Sequence, residues 1–158
     1  MTPNEIVQTL QSKFNDKIIE SNLEVIQPYV VVQADSVADI FTYLKNDPAL
    51  EMDYLDLLTG VDWLTENRIE MVYHVSSIKH HHSLVVKTNL DRETPKVPSI
   101  TPLYGAANWH ERETYDLFGI VFVGHPDLRR ILLPDDWKGH PLRKDYQFPE
   151  EYHGVKWN

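Results

Sequence analysis

Tyr54–Leu90, YLDLLTGVDWLTENRIEMVYHVSSIKHHHSLVVKTNL, decides the fold. Residues 53–90 read as a three-stranded meander. The first strand runs from Tyr54 to Trp63, with Thr59-Gly60 as a candidate bulge. After a turn at Thr65–Arg68, Ile69, Met71, Tyr73 and Val75 alternate with more polar neighbours through Ile69–Ser76. His80–His82 mark a second turn, and Leu84, Val86, Thr88 and Leu90 form the inner face of the last strand. A sheet with one apolar face needs a second layer to cover it.

The chain before the meander supplies that layer. Thr2 can cap a helix, Pro3 suits its first position and Glu5 completes a capping box. Ile6, Val7, Leu10 and Phe14 then make a short amphipathic helix. Leu23–Gln33 is strand-like around Tyr29-Val30-Val31-Val32, and Pro28 predicts a bend or an edge position because it lacks a ladder donor. Ser36–Asp39 reads as a second capping box. Behind it Val37, Ile40, Phe41 and Leu44 follow the helical period, until Asn46-Asp47-Pro48 ends the helix.

After the meander, Arg92–Pro102 carries three prolines and is predicted as extended loop. Thr101-Pro102 opens a helix by the same cap-then-proline logic, and Gly119 ends it. At 100° per residue, Leu103, Ala106, Ala107, Leu117 and Phe118 share one side, while Trp109, Arg112, Glu113 and Asp116 share a different arc. An apolar stripe beside a charged patch with a tryptophan is a plausible docking face. Beyond it, Ile120–Val123 is the last regular strand. Prolines and glycines interrupt the rest, which still carries Leu128, Ile131, Leu132, Leu133, Trp137, Tyr146, Phe148, Tyr152 and Trp157. A disordered tail is poor in such residues, so these need a surface, their own or a partner's. The expected fold is α+β and two-layered. A mixed or antiparallel sheet of about four to five strands carries the helices, residues 1–124 form the globular part and 125–158 an extended partner-binding tail.

Composition narrows the function. The 158 residues contain no cysteine, which excludes disulfides, cysteine nucleophiles and cysteine-ligated iron–sulfur clusters. No run of eighteen apolar residues is present to span a bilayer, and MTPNEIVQ lacks the marks of a signal peptide. The net charge of −9 argues against general nucleic-acid binding. Residues 125–158 are balanced, with six basic and six acidic side chains, so the acidic excess lies in residues 1–124.

None of the candidate chemistries is convincing. His80-His81-His82 with His74 suggest metal, but neighbouring strand residues point to opposite faces, and a solvated hairpin tip is the simpler reading. Glu111 and Glu113 lie about 200° apart on a helix, so they are not a facing catalytic pair. Arg112 and Asp116 have the spacing of an ordinary i,i+4 ion pair. Gly124–Arg130 lacks the spacing of a nucleotide loop. Its arginines, with Arg143-Lys144-Asp145, better suit carboxylates of a neighbouring chain.

Three runs carry a family resemblance: W-x-E-R-E-x-x-D-L-F-G-I from Trp109, G-H-P-D-L-R-R-I-L from Gly124, and D-W-x-G-H-P-L-R-K-D-Y from Asp136. They resemble the signature of the C-subunit of respiratory complex I, the proton-pumping NADH:quinone oxidoreductase. The resemblance implies a structural component with no catalytic, cofactor or metal residues of its own. It would dock on the hydrogenase-like D-subunit beside the quinone site, with iron–sulfur clusters, FMN and quinone held by partner proteins of the complex. It would lie peripherally on the cytoplasmic side of the membrane. The implied interface takes Trp109, Glu111, Arg112, Glu113 and Asp116 from the helix. From the tail it takes His125, Arg129, Arg130, Trp137, His140, Arg143, Lys144, Asp145 and Tyr146, with the tail loose until assembled. The equivalent subunit of a ferredoxin-dependent or hydrogenase-type complex is the alternative, because the shared arm core does not reveal the electron donor.

Overall fold

A computed structural model describes residues 1–156. Helix α1 (Pro3–Phe14) begins with the expected capping box: Glu5 N–H donates to the Thr2 hydroxyl and Thr2 N–H to the Glu5 carboxylate. Strands β1 (Ile18–Asn22) and β2 (Tyr29–Val32) follow, then α2 (Val37–Asn46), then β3 (Tyr54–Trp63), β4 (Arg68–Ser77) and β5 (His82–Asp91). The sheet order is β1-β2-β5-β4-β3. All neighbours are antiparallel except β2 and β5, so the sheet is mixed. This is the α+β architecture expected.

Period-two burial fixes which face is the core. Ile69, Met71, Tyr73 and Val75 of β4 are fully buried, and Leu84, Val86, Thr88 and Leu90 of β5 are buried beside them. Ile6, Val7 and Leu10 of α1, with Val37, Ile40, Phe41 and Leu44 of α2, join the apolar ones in one core. Slipping the register by one residue would turn every one of those strand side chains outward.

Several local expectations are corrected. Strand β1 falls where no strand is expected: IIESN is short, half exposed and without alternation, as an edge strand is. The bulge of β3 lies between Leu55 and Leu57, not at Thr59-Gly60. Gly60 instead gives close packing, since a Cβ there would sit 3.1 Å from Ile120 Cδ1. β2 is an interior strand, and Pro28 stands just before it rather than in its ladder. Ser36 forms no capping box; a 3-10 turn over Ala34–Ser36 leads into α2, and the Ser36 hydroxyl donates to Asp35. The Arg92–Pro102 loop contains β6 (Lys96–Pro98), which pairs in parallel with β7 (Val121–Val123). Helix α3 starts at Ala107 rather than Thr101, because the Thr101 hydroxyl bonds Ser99 and turns occupy the residues between. A small hairpin of β8 (Glu151–Tyr152) and β9 (Val155–Lys156) ends the described chain. The expected role of Trp157 lies outside the described residues.

Candidate functional site

Helix α3 (Ala107–Phe118) lies against β3 at the edge of the sheet, and the tail from His125 onward crosses it. The two are joined by buried polar groups. The Asp116 side chain is fully buried; its Oδ2 accepts the N–H groups of Ile131, Leu132 and Leu133 at 2.8–3.0 Å, and its Oδ1 accepts Arg130 Nη1 at 2.6 Å. Burial alone would push this carboxyl up. The amides of Leu133, Ile131 and Leu132 and the Arg130 guanidinium outweigh it and hold Asp116 below the usual carboxylate value. Arg112 reaches the same segment from one turn earlier, donating to the carbonyls of Arg129 and Arg130.

The carboxyl end of α3 is closed by the tail. A helix leaves its last carbonyls without partners, and here His140 Nδ1 donates to Asp116 C=O, Leu142 N–H to Leu117 C=O and Arg143 Nε to Phe118 C=O. Gly119 at φ +77° lets this happen: a Cβ there would lie 2.6 Å from the His140 ring. G-H-P-L-R is therefore a helix cap supplied from a distant part of the sequence.

A second anchor sits on β3. Asp62 is buried and binds Arg92 through both oxygens at 2.7 and 3.0 Å, while its Oδ2 also accepts Lys144 N–H at 2.8 Å. Arg92 continues to Asp145, so R-K-D is tied to the meander. The motifs point to neither Asp62 nor Arg92. The signal that could have found Asp62 is its parity, an acid two residues beyond an inward glycine on the same face of a strand.

A third carboxyl behaves oppositely. Glu111 is fully buried, with its oxygens bonded to the Ser99 hydroxyl and the Ile100 N–H. Burial pushes it up to about 7, and the two hydrogen bonds offset that only in part.

A family model described as the respiratory-chain NADH dehydrogenase 30 kDa subunit matches residues 30–152. The chain belongs to this family. The NADH-quinone oxidoreductase C-subunit of Chloroherpeton thalassium is 41% identical over 157 residues, which cover 98% of this chain and 65% of the relative. The F(420)H(2) dehydrogenase C-subunit of Methanosarcina mazei is 40% identical, covering 94% of this chain and 95% of the relative. Among solved structures, a trypsin-resistant fragment of Nqo5 is 31% identical with a TM-score of 0.68, covering 81% of this chain and all of the fragment. A chain of the membrane-bound sulfane sulfur reductase, an archaeal respiratory membrane complex, is 27% identical with a TM-score of 0.76, covering 93% of this chain and 86% of that one.

In this 30 kDa-family chain the signature residues divide into two groups. Glu111, Arg112 and Asp116 are buried and partnered inside the chain, so they do not present the charged docking arc that helical spacing predicts. Asp116 pairs with Arg130 and not with Arg112, because the Arg112 guanidinium turns to the tail carbonyls. Arg130, His140 and Arg143 likewise hold the tail down. His125 bonds Asn108 C=O, and the Tyr146 hydroxyl donates to Lys138 C=O over Gly139. Trp137 is half buried beside Tyr152. Trp109 is 62% exposed with the Arg112 guanidinium 5.5 Å from its ring, and Glu113, Arg129, Lys144 and Asp145 also face outward. Arg129 pairs with Asp127 of its own loop.

The histidine turn is less solvated than expected. His82 is buried with Nε2 2.7 Å from Leu50 C=O, and His80 stacks on it and bonds Pro48 C=O. These rings tie the hairpin to the turn after α2. Among the described residues, no three histidine, cysteine, aspartate or glutamate side chains are grouped to hold a metal. None of the described helices is long and apolar enough to cross a membrane.

Proposed function

We propose that this chain is a non-catalytic structural component of an NADH:quinone oxidoreductase-type complex. It docks on the hydrogenase-like D-subunit near the proteins that hold the iron–sulfur clusters, on the cytoplasmic side of the membrane, and carries no cofactor itself. The observation that carries this reading is the tail. Arg130, His140 and Arg143 engage α3 and the Lys144 N–H engages β3, while Trp109, Leu132, Leu142 and Phe148 remain 48–66% exposed around the tail. Tryptophan and arginine are the residue types enriched at binding hot spots, and exposed apolar side chains grouped around them mark a surface that a partner covers. A tail already bonded to its own domain offers them on a rigid support, which keeps neighbouring redox groups in register.

Arg129 tests the docking face, since its side chain is 67% exposed and its reversal should leave the fold intact. R129E and W109A are expected to give a normally folded isolated chain and a reduced yield of assembled, quinone-reducing complex after mild-detergent purification. Full assembly and activity from both variants would remove the docking face. R112E serves as the contrasting control, because it places a carboxylate against two carbonyls and should loosen the tail in the isolated chain.

The F(420)H(2) dehydrogenase and sulfane sulfur reductase relatives support a second reading, the equivalent subunit of a complex with another electron donor. Neighbouring genes for NADH- and flavin-binding proteins would favour the first reading, and their absence the second.

A further inference from the structure

Among the described residues, Glu111 is the one buried carboxyl of α3 with no basic partner, since Asp116 pairs with Arg130 and Glu113 is exposed. Among the described residues, no arginine, lysine or histidine bonds or ion-pairs with it. Arg112 is turned to the tail. From β4, Tyr73 faces it with a buried hydroxyl that has no hydrogen-bond partner, and Tyr73 ionises only well above its ordinary range. From the segment after β6 come only the Ser99 hydroxyl, at 2.6 Å from Oε2, and the Ile100 N–H, at 2.7 Å from Oε1.

The contact does not stop at Ser99. Ser99 Oγ lies 2.8 Å from Thr101 Oγ1, and either oxygen can be the donor. Thr101 is half exposed and lines a cleft of about 300 Å³ with Pro102, Gly105, Asn108, Gly124 and Pro126, where the tail departs from β7. A continuous line of three oxygen-bearing groups thus leads from a fully buried carboxyl to solvent.

We propose that Glu111, Ser99 and Thr101 form a proton-binding site, in which a proton passes between the buried carboxyl and water in the cleft along the two hydroxyls. With Glu111 ionised, Thr101 donates to Ser99 and Ser99 donates to Oε2. When cleft water gives a proton to Thr101 Oγ1, the Thr101 hydroxyl proton moves to Ser99 and the Ser99 proton to Oε2. Glu111 becomes neutral and now donates to Ser99, which donates to Thr101. Each hydroxyl keeps one proton, and one net proton has moved from water to carboxyl. The heavy atoms need not shift, because Thr101 N–H donates to Ser99 Oγ in both states. Burial disfavours the charged form, and the resulting value of about 7 makes both states accessible at neutral pH.

The test is the carboxyl stretch of Glu111 followed by infrared difference spectroscopy against pH in the folded full-length chain. A carboxyl titrating near neutrality, lost in E111Q, is expected. S99A removes the donor that favours the charged form and should raise the midpoint by about one pH unit, a tenfold gain in proton affinity. T101V removes a hydroxyl that serves Ser99 in both states, so it should move the midpoint less than S99A does but slow the protonation of Glu111 after a pH jump at least tenfold, because the path to the cleft is cut. A purely structural anchor would change stability in these variants without slowing that protonation. A wild-type midpoint in the ordinary glutamate range, an unmoved midpoint in S99A, or protonation of T101V at the wild-type rate overturns the proposal. If S99A does not fold, T101V at its half-exposed position reads the relay alone.

Discussion

Two acids on one helix, Glu111 and Asp116, are driven to opposite protonation preferences by what surrounds them. Both are fully buried, but Asp116 receives three amides and a guanidinium, whereas Glu111 receives one amide and a hydroxyl. Removing one partner of a buried pair leaves the other charge stranded and costs about 3–5 kcal/mol. D116N, which also aims an amide at three N–H donors, is expected to lose stability of that order in urea denaturation. His140 gives a pH test. Burial lowers its pKa from 6.5, so the folded chain favours the neutral ring while the unfolded chain takes up the proton. The stability it contributes is present above pH 6.5 and is lost as pH falls below it. H140Q should flatten the acid side of a melting-temperature profile between about pH 6.5 and about 5.

At the scale of elements, α3 depends on residues far along the chain for its final cap. Gly119 is where that dependence concentrates, because it needs both a left-handed backbone and the absence of a side chain against His140. G119A is expected to lose at least about 1–2 kcal/mol and to speed amide exchange at Leu142 and at Ile131–Leu133. Unchanged exchange would separate the cap from the tail. The meander and α2 are legible in the sequence because burial there follows simple periods: alternate residues inward in β4, and i, i+3, i+4, i+7 in α2. The start of α3 and strand β6 are not. Thr101-Pro102 has cap chemistry, but the Thr101 hydroxyl bonds Ser99, and Lys96–Pro98 becomes a strand only through β7, a partner far along the chain.

For the whole molecule, Asp62–Arg92 and Asp116–Arg130 pin the tail at two places, one on the meander and one on α3. The signature motifs identify the family, yet their helical arc assigns Arg112 and Asp116 to a partner. Spacing along a helix shows which side chains share a face and not whether the same chain later covers it. R92A should strand the buried Asp62 carboxylate and release residues 144–145, at a cost of about 3–5 kcal/mol. Protease cutting beyond Gly139 in R92A, at a site resistant in the wild-type chain, is the expected readout.

Three successive amides meeting a single carboxylate oxygen also act as a ruler. Ile131 stands 15 positions after Asp116, and one residue added or removed between them would bring the wrong amides to that oxygen. The Arg112 and Arg130 contacts would be displaced with it. Spectroscopic labels or affinity handles introduced by insertion therefore belong after Pro149, where the connection can lengthen without miscounting the grip.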